Sequence, residues 1–306
     1  MNIGLQLRNS LALLKCVLRE KPDALFLYRV NSFFVSVLRL VRLCRPQLCV
    51  MVYHNDDPFR KERMRRLKNH RYLRTIGLAD VTYVYRTVNV DEAKQWGARK
   101  VKLLMSHYDS RCDVVSLPAR GLHKPNSRVV FVGHHEPDGR IDCLDELFRN
   151  GTDLHIYGDE KWHEVFASKG WPQDHCHGKV FGNDYRQTVA GAAIALAFFS
   201  TDNRDDYTRR CFEIPVMGTL LMAPRTPSTE ALFDNGSEAA LFSDKEELAS
   251  LVGYYNQHPE QRDAIALKAY RQMLAKGHSE TARAQMVIDD VQAWQRGRQA
   301  GPATGS

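Results

Sequence analysis

The sequence predicts two α/β domains built on parallel sheets, and three observations carry that expectation. Short apolar segments alternate with helical patterns along most of the 306 residues, the order that gives strand–helix–strand units. The runs "VVFVG" and "AIALAFF" lack polar alternation, as parallel strands covered on both faces require. The stretch 113–127, "DVVSLPARGLHKPNS", holds Pro118, Gly121 and Pro125 without helical or strand period, which marks an interdomain connector.

A first domain is expected over 1–115, with strands at 24–28, 48–53, 81–85 and 101–105. It opens on "MNIGLQLRNSLALLKCVLREKPD", which reads as the helix after an initial strand. A linker spans 116–127, and a second domain follows over 128–297. Its strands are expected at 129–133, 154–157, 179–181, 194–199, 219–222 and 239–242. After Asp244 the pattern turns helical: a Ser243 or Asp244 cap precedes Glu246 and Glu247 at a helix start. Further helices are expected over 260–275 and 279–295. The small, polar residues 298–306 read as a disordered tail.

The apolar fraction of 43% suits a protein with a real core. The longest apolar run, 189–199, falls well short of the ~18 residues that cross a bilayer. No secretory leader pattern is visible at the N-terminus. Seven scattered cysteines without a C-x-x-C pair fit reduced thiols in a cytoplasm rather than a disulfide framework. A net charge of +7 favours anionic partners: phosphorylated metabolites, nucleic acid or an acidic membrane face. There is no G-x-S-x-G elbow, Walker loop or G-x-G-x-x-G turn, which argues against a nicotinamide enzyme.

Parallel α/β sheets bind ligands at the carboxyl ends of their strands, and three polar segments follow strand candidates. In "VVFVGHHEPDGRIDCLDELF" a strand ends at Gly133 and a loop containing Gly139 leads into a helix, an arrangement that offers amides to an anion. Arg140 opposes the dipole at that helix start unless something negative lies close by, so it reads as a phosphate clamp or as a solvated side chain. In "TRRCFEIPVMG" Glu213 sits between Phe212 and Ile214, and a buried carboxylate there needs a partner. A ligand diol is one partner; Arg209 or Arg210 is the other. Pro215 marks a helix start or bend, and Gly218 a sharp exit. In "CVMVYHNDDPFRKER" the strand end presents His54, Asp56 and Asp57, either as base and donor contact or as a turn with Asp57 capping a helix.

These segments together resemble nucleotide-sugar glycosyltransferases with two Rossmann-like domains, the GT-B architecture. The similarity covers 128–285, and within it the chain is similar to the spore-maturation-protein-like group. That group carries an Arg-x-Phe-Glu-x-Pro-x-x-Gly motif, here Arg210, Phe212, Glu213, Pro215 and Gly218. "FVGHHEPDGR", "LHIYGDEKW" and "TPSTEALFDNGSEAALFSDKEEL" resemble further segments of the group, and an aromatic strand before Asp-Asp-Pro matches residues 50–58. The first domain of that family opens with a strand, so the expectation here is a domain without its usual first strand, because the chain is shortened or because its numbered start falls inside the original reading frame. The resemblance implies two domains facing a cleft, with closing C-terminal helices. It implies sugar transfer from a nucleotide-diphosphate sugar to a hydroxyl of a glycan, lipid-linked or protein acceptor. A noncatalytic sugar-nucleotide or glycan-binding protein of the same fold is the alternative. The nucleotide sugar is a co-substrate, and neither cofactor nor metal is implied. By position, Glu213 takes the ribose and Asp205 the place of a sugar-binding acid. Phe181 and Gly182 meet the base through their backbone. Gly133, His134, Arg140 and Arg210 meet the diphosphate, and Asp57, Asp56 and His54 are the catalytic candidates.

Competing signals remain. Residues 60–74 hold eight Lys and Arg against Glu62, a wet helix face, a contact with anionic lipid at the inner membrane face or, least of all, a nucleic-acid surface. Arg39, Arg42 and Arg45 form a basic stripe on an apolar helix. "DHCHG" looks like a metal motif, but alternate residues without a second ligand cluster make no zinc site.

Overall fold

The computed structural model describes residues 3–30, 32–117 and 124–299, and the chain forms two compact units. Unit 1 comprises Met1–Met105 with Arg283–Ser306, and unit 2 comprises Ser106–Ala282. The sequence-based boundaries at 115 and 297 differ from this division for local reasons. Val115 donates its amide to the Val216 carbonyl and accepts from the Tyr270 hydroxyl, so the end of the expected first domain belongs to unit 2. At the other end, Asp290 accepts from the Tyr83 hydroxyl at 2.7 Å, which returns the last helix to unit 1. Residues 118–123 of the expected linker and 300–306 of the tail lie outside the described residues.

Unit 1 runs α1 (Ile3–Glu20), β1 (Ala24–Tyr28), α2 (Val35–Cys44), β2 (Cys49–His54), α3 (Arg63–Ile76), β3 (Val81–Val84), α4 (Val88–Gln95) and β4 (Val101–Leu103). The strands are parallel in the order β1-β2-β3-β4. β3 is buried along its whole length and β2 nearly so, which is why neither shows period-two polarity. One face packs Val37, Val41, Tyr72 and Ile76 on the strands. On another cluster, Val287, Val291 and Trp294 of the last helix pack against Met51, Val81 and Tyr83.

Unit 2 continues with β5 (Val129–Val132), α5 (Arg140–Arg149), β6 (Leu154–Tyr157), α6 (Lys161–Lys169), β7 (Cys176–His177), α7 (Gly182–Gly191), β8 (Ile194–Leu196), α8 (Arg210–Val216), β9 (Leu220–Pro224), α9 (Pro227–Leu232), β10 (Ala240–Phe242), α10 (Lys245–Gln257) and α11 (Pro259–Ala275). The closing α12 (Glu280–Gln299) crosses into unit 1 and extends the helix past the expected tail boundary. Strand order is β10-β9-β8-β5-β6-β7. The chain winds from β5 to β7 in one direction and resumes at β8 on the other side of β5. That reversal is the topological switch point of a doubly wound sheet, where such sheets bind ligands.

The expected strand at 179–181 is not formed; β7 covers Cys176–His177 instead. Phe181 is 74% exposed, so these residues gain nothing from lying in the sheet, and the edge strand stops early. Pro215 lies inside α8, which ends one residue later, as expected where a ring removes a backbone donor. Asp244 caps α10 by accepting from the Glu247 amide at 2.7 Å.

Candidate active site

In unit 2 the strand ends beside the switch point are stripped of side chains. A Cβ on Gly133 would lie 2.5 Å from Phe131 Cζ. A Cβ on Gly158 would collide with the Gly133 carbonyl oxygen and the Trp162 ring. Trp162 donates its indole N–H to that same carbonyl at 2.9 Å. The two glycines therefore let the β5 and β6 exits run against each other, and the loop after Gly133 is held from below. His134 stands exposed with Nδ1 3.1 Å from Asp159, whose carboxyl also takes the His135 amide. Burial pulls the Asp159 pKa upward, but these bonds hold it below the usual carboxylate range.

Arg140 is buried, not solvated. Its guanidinium forks onto Asp138, reaches Glu136 at 3.5 Å and donates to the His134 carbonyl at 2.5 Å. The negative group that the helix start demanded is thus supplied by the loop itself. The N-cap Gly139 has φ +87°, a left-handed conformation suited to glycine.

Glu213 is 4% exposed. Arg209 Nε reaches Oε1 at 2.5 Å; Arg210 Nη1 reaches Oε2 at 2.5 Å, and the Tyr185 hydroxyl donates to Oε2 at 3.0 Å. Arg210 also stacks 4.2 Å over the Tyr185 ring, with Nε 3.4 Å from the Val132 carbonyl. That last contact sets α8 against the end of β5. Burial pushes the Tyr185 hydroxyl pKa well above its ordinary value, so it remains a donor. Of the alternatives that the sequence left open, a ligand diol or Arg209 or Arg210, the structure shows both arginines on the carboxylate, joined by a tyrosine that the sequence did not reveal.

The other donor-side candidates are spread along neighbouring strand exits. Phe181 caps α7 and Gly182 opens it with φ +53°. Asp205 lies in the loop after β8, its amide bonded to the Ser200 carbonyl at 2.9 Å.

In unit 1, His54, Asp56 and Asp57 follow β2 but are not equivalent. Asp57 is buried, and Oδ1 accepts from the Phe59 amide and the Asn89 side chain, both at 3.1 Å. It holds a turn. Asp56 is 40% exposed and pairs with Arg29 at 3.0 Å. His54 is buried, with Nδ1 3.2 Å from both the amide and the carbonyl of Asp56. Burial lowers its pKa to about 4, so the imidazole is neutral at pH 7. Sequence reasoning missed Arg29 and Asn55. Arg29 has φ +50°, a strained backbone for a non-glycine residue, and its Nε donates to Asn55 Oδ1 at 2.7 Å.

The other charged motifs resolve differently. Arg42 leaves the expected stripe to pair with Asp80 at 2.6 Å. His175 does gain neighbouring ligand groups: Asp153, His155 and His175 offer ligand atoms within 4.8 Å of one another. Parallel register sets Ile156 opposite Cys176 and Tyr157 opposite His177, and His155 lies beside His175. The His155–His175 and Tyr157–His177 rings both stack at 4.3 Å. Hydrogen bonds to Asp153, His177 and the Leu154 carbonyl already engage these nitrogens.

Residues 140–289 match the family model described as glycosyl transferase-like. The architecture is that of GT-B glycosyltransferases. HepE of Anabaena, crystallised with UDP-glucose, superposes with a TM-score of 0.67 at 14% identity, over 93% of this chain and 82% of that one. Sucrose-phosphate synthase of Thermosynechococcus elongatus gives 0.69 at 10% identity, over 94% and 78%. A glycosyltransferase of Rickettsia africae gives 0.66 at 12%, over 95% and 82%. This chain has the GT-B fold. No curated protein matches the sequence. The motif Arg210–Gly218 and the Gly133–Arg140 loop lie in or beside the matched segment, so the family and the switch-point geometry point to the same place. No described helix is long and apolar enough to cross a membrane.

Proposed function

We propose that unit 2 binds a nucleoside-diphosphate sugar at its β5–β8 switch point and that Glu213 holds the ribose. The observation that carries this reading is the buried carboxylate at the start of α8, beside the end of β5. A carboxylate has about four lone-pair sites. Arg209, Arg210 and Tyr185 occupy three. Arg209 is about half exposed and shared with Asp113, so it is the partner that yields to a diol.

Departure of the nucleoside diphosphate develops negative charge on phosphate oxygens, which Arg210 and the loop amides after Gly133 stabilise. Arg140 positions that loop through Asp138 rather than touching phosphate. Phe181 and Gly182 present backbone to the base, and Asp205 faces the sugar. Fixed cations serve in place of a metal. Toward the acceptor hydroxyl, Asp56 is the accessible carboxylate and acts as base, with Asp57 and His54 holding its turn. The acceptor is a glycan, lipid-linked or protein hydroxyl, and the basic α3 rests on anionic lipid at the inner membrane face.

Calorimetric titration with UDP, GDP, ADP and CMP tests the donor site. One nucleoside diphosphate binds the wild type, and Glu213→Ala weakens it at least tenfold. Equal affinity in both proteins removes the assignment.

A further inference from the structure

The basic run in unit 1 has a focus. A cavity of about 520 Å³ opens between the start of α2 and the C-terminal half of α3, walled by residues 34–36 at the α2 N-terminus, Arg39, His70, Arg71 and Arg74. Its size lies in the range of small-ligand sites. Three guanidiniums share this wall, and no carboxylate lines it. Among the described residues, Arg39 and Arg74 make no ion pair or hydrogen bond. Arg71 is engaged, donating among its contacts to the amide oxygen of Gln6 at 2.8 Å, so the unneutralised charge is that of Arg39 and Arg74. Arg42, one turn along α2 from Arg39, shows the contrast, since Asp80 neutralises it at 2.6 Å.

The helix start adds to the same field. α2 has no acid in its first turn, and its N-cap Phe34 makes no side-chain capping bond, so the positive end of the dipole is not offset locally. Like charges gathered on one wall repel unless an anion joins them. Guanidinium forks match phosphate oxygens in geometry as well as charge.

We propose that this cavity binds the phosphate or diphosphate group of the acceptor. Its occupant as an acceptor rests on the transferase reading above; the anion site itself does not. That group belongs to a soluble phosphorylated sugar or to a lipid headgroup, and the experiment separates the two.

Inorganic pyrophosphate is titrated calorimetrically into the full chain with saturating UDP, or with whichever nucleoside diphosphate the donor titration finds to bind, so that a diphosphate site at Glu213 is filled. Wild type binds pyrophosphate, and Arg39→Ala/Arg74→Ala binds it at least tenfold more weakly while nucleotide affinity stays unchanged. Arg39→Lys/Arg74→Lys recovers part of the loss. If none of the tested nucleotides binds, the donor assignment fails alone, and pyrophosphate binding lost in the double variant still supports the cavity. Flotation with phosphatidylcholine vesicles, with and without phosphatidylglycerol, identifies the source. Binding to the anionic vesicles that pyrophosphate displaces marks a lipid headgroup; pyrophosphate binding without vesicle binding marks a soluble phosphate. Pyrophosphate affinity equal in wild type and double variant, or no binding to wild type at millimolar concentration, overturns the proposal.

Discussion

The Tyr185 hydroxyl and the Arg210 guanidinium converge on one oxygen of Glu213, Oε2, at 3.0 and 2.5 Å. Two donors on a single oxygen fix the carboxylate plane and, among the described residues, leave Oε1 to Arg209. Removing the charge and removing one donor should therefore separate. Glu213→Gln should cost about 1–3 kcal/mol of stability, because buried donors lose an ionised acceptor, and should weaken nucleotide binding at least tenfold. Tyr185→Phe keeps two arginines on the carboxylate, so nucleotide affinity should fall less than threefold. Thermal denaturation and calorimetry on both variants check this.

Arg209 gives the complementary test. It is exposed enough for solvent to screen its ion pair with Glu213. If it only fills Oε1 in the empty site, Arg209→Ala should leave nucleotide affinity within threefold or raise it. A tenfold loss would make Arg209 a ligand group itself.

The sequence exposed some of these relationships and hid others for physical reasons. β6 was placed to the residue, because apolar positions there lie between a polar Thr152–Asp153 pair and Gly158. The two arginines on Glu213 were visible as near neighbours on one helix. Tyr185 was not, since 28 residues and a strand separate it from Glu213. The β7 edge carried too little burial to mark its position. Asp290 lies 207 residues from Tyr83, and no local pattern announces a contact at that range. Asp57 and Asp56 look alike in sequence, and only burial divides the turn-holder from the exposed acid.

The long-range bond predicts where α12 matters. Asp290 is buried and takes both the Tyr83 hydroxyl and Lys102 Nζ, the latter at 2.5 Å. Burial raises its pKa, but those bonds outweigh it and keep the carboxyl below the usual range. Asp290→Ala should destabilise unit 1 by about 1–3 kcal/mol through the unpaired buried hydroxyl and lost ion pair. Hydrogen exchange should show the loss first in β3 and β4, with nucleotide binding by unit 2 intact.

His54 sets a pH dependence. Its folded pKa of about 4 lies below the ordinary value of 6.5 because burial disfavours the imidazolium. In that interval the unfolded chain binds more protons than the folded one, so stability is complete above 6.5 and is lost as pH falls toward 4. The contribution is about 3 kcal/mol. Urea denaturation between pH 7 and 4 should show this slope, and His54→Gln should flatten it. An unchanged slope in the variant would assign the acid sensitivity to other groups, with His155 and His177, whose pKa values burial and neighbouring imidazoles also lower, next to be replaced.

The glycine pair at the switch point links packing to binding. Gly158 has no room for a methyl group, because its neighbours are the Gly133 carbonyl and the Trp162 ring, backbone and a buried side chain that cannot swing aside. At Gly133 the obstacle is the Phe131 ring, which is itself buried against Trp162 and Phe198. Gly158→Ala should therefore cost about 1–3 kcal/mol by overpacking and displace the loop that Trp162 holds through the Gly133 carbonyl. If that loop carries the diphosphate, nucleotide affinity should fall by a factor of ten or more at a temperature where the variant is still fully folded. Gly139→Ala serves as the comparison: nothing crowds a methyl there, but φ of +87° strains it, so stability should drop while the β5–β6 exits stay in place. A Gly158→Ala protein that binds nucleotide as tightly as wild type would show that the diphosphate lies elsewhere.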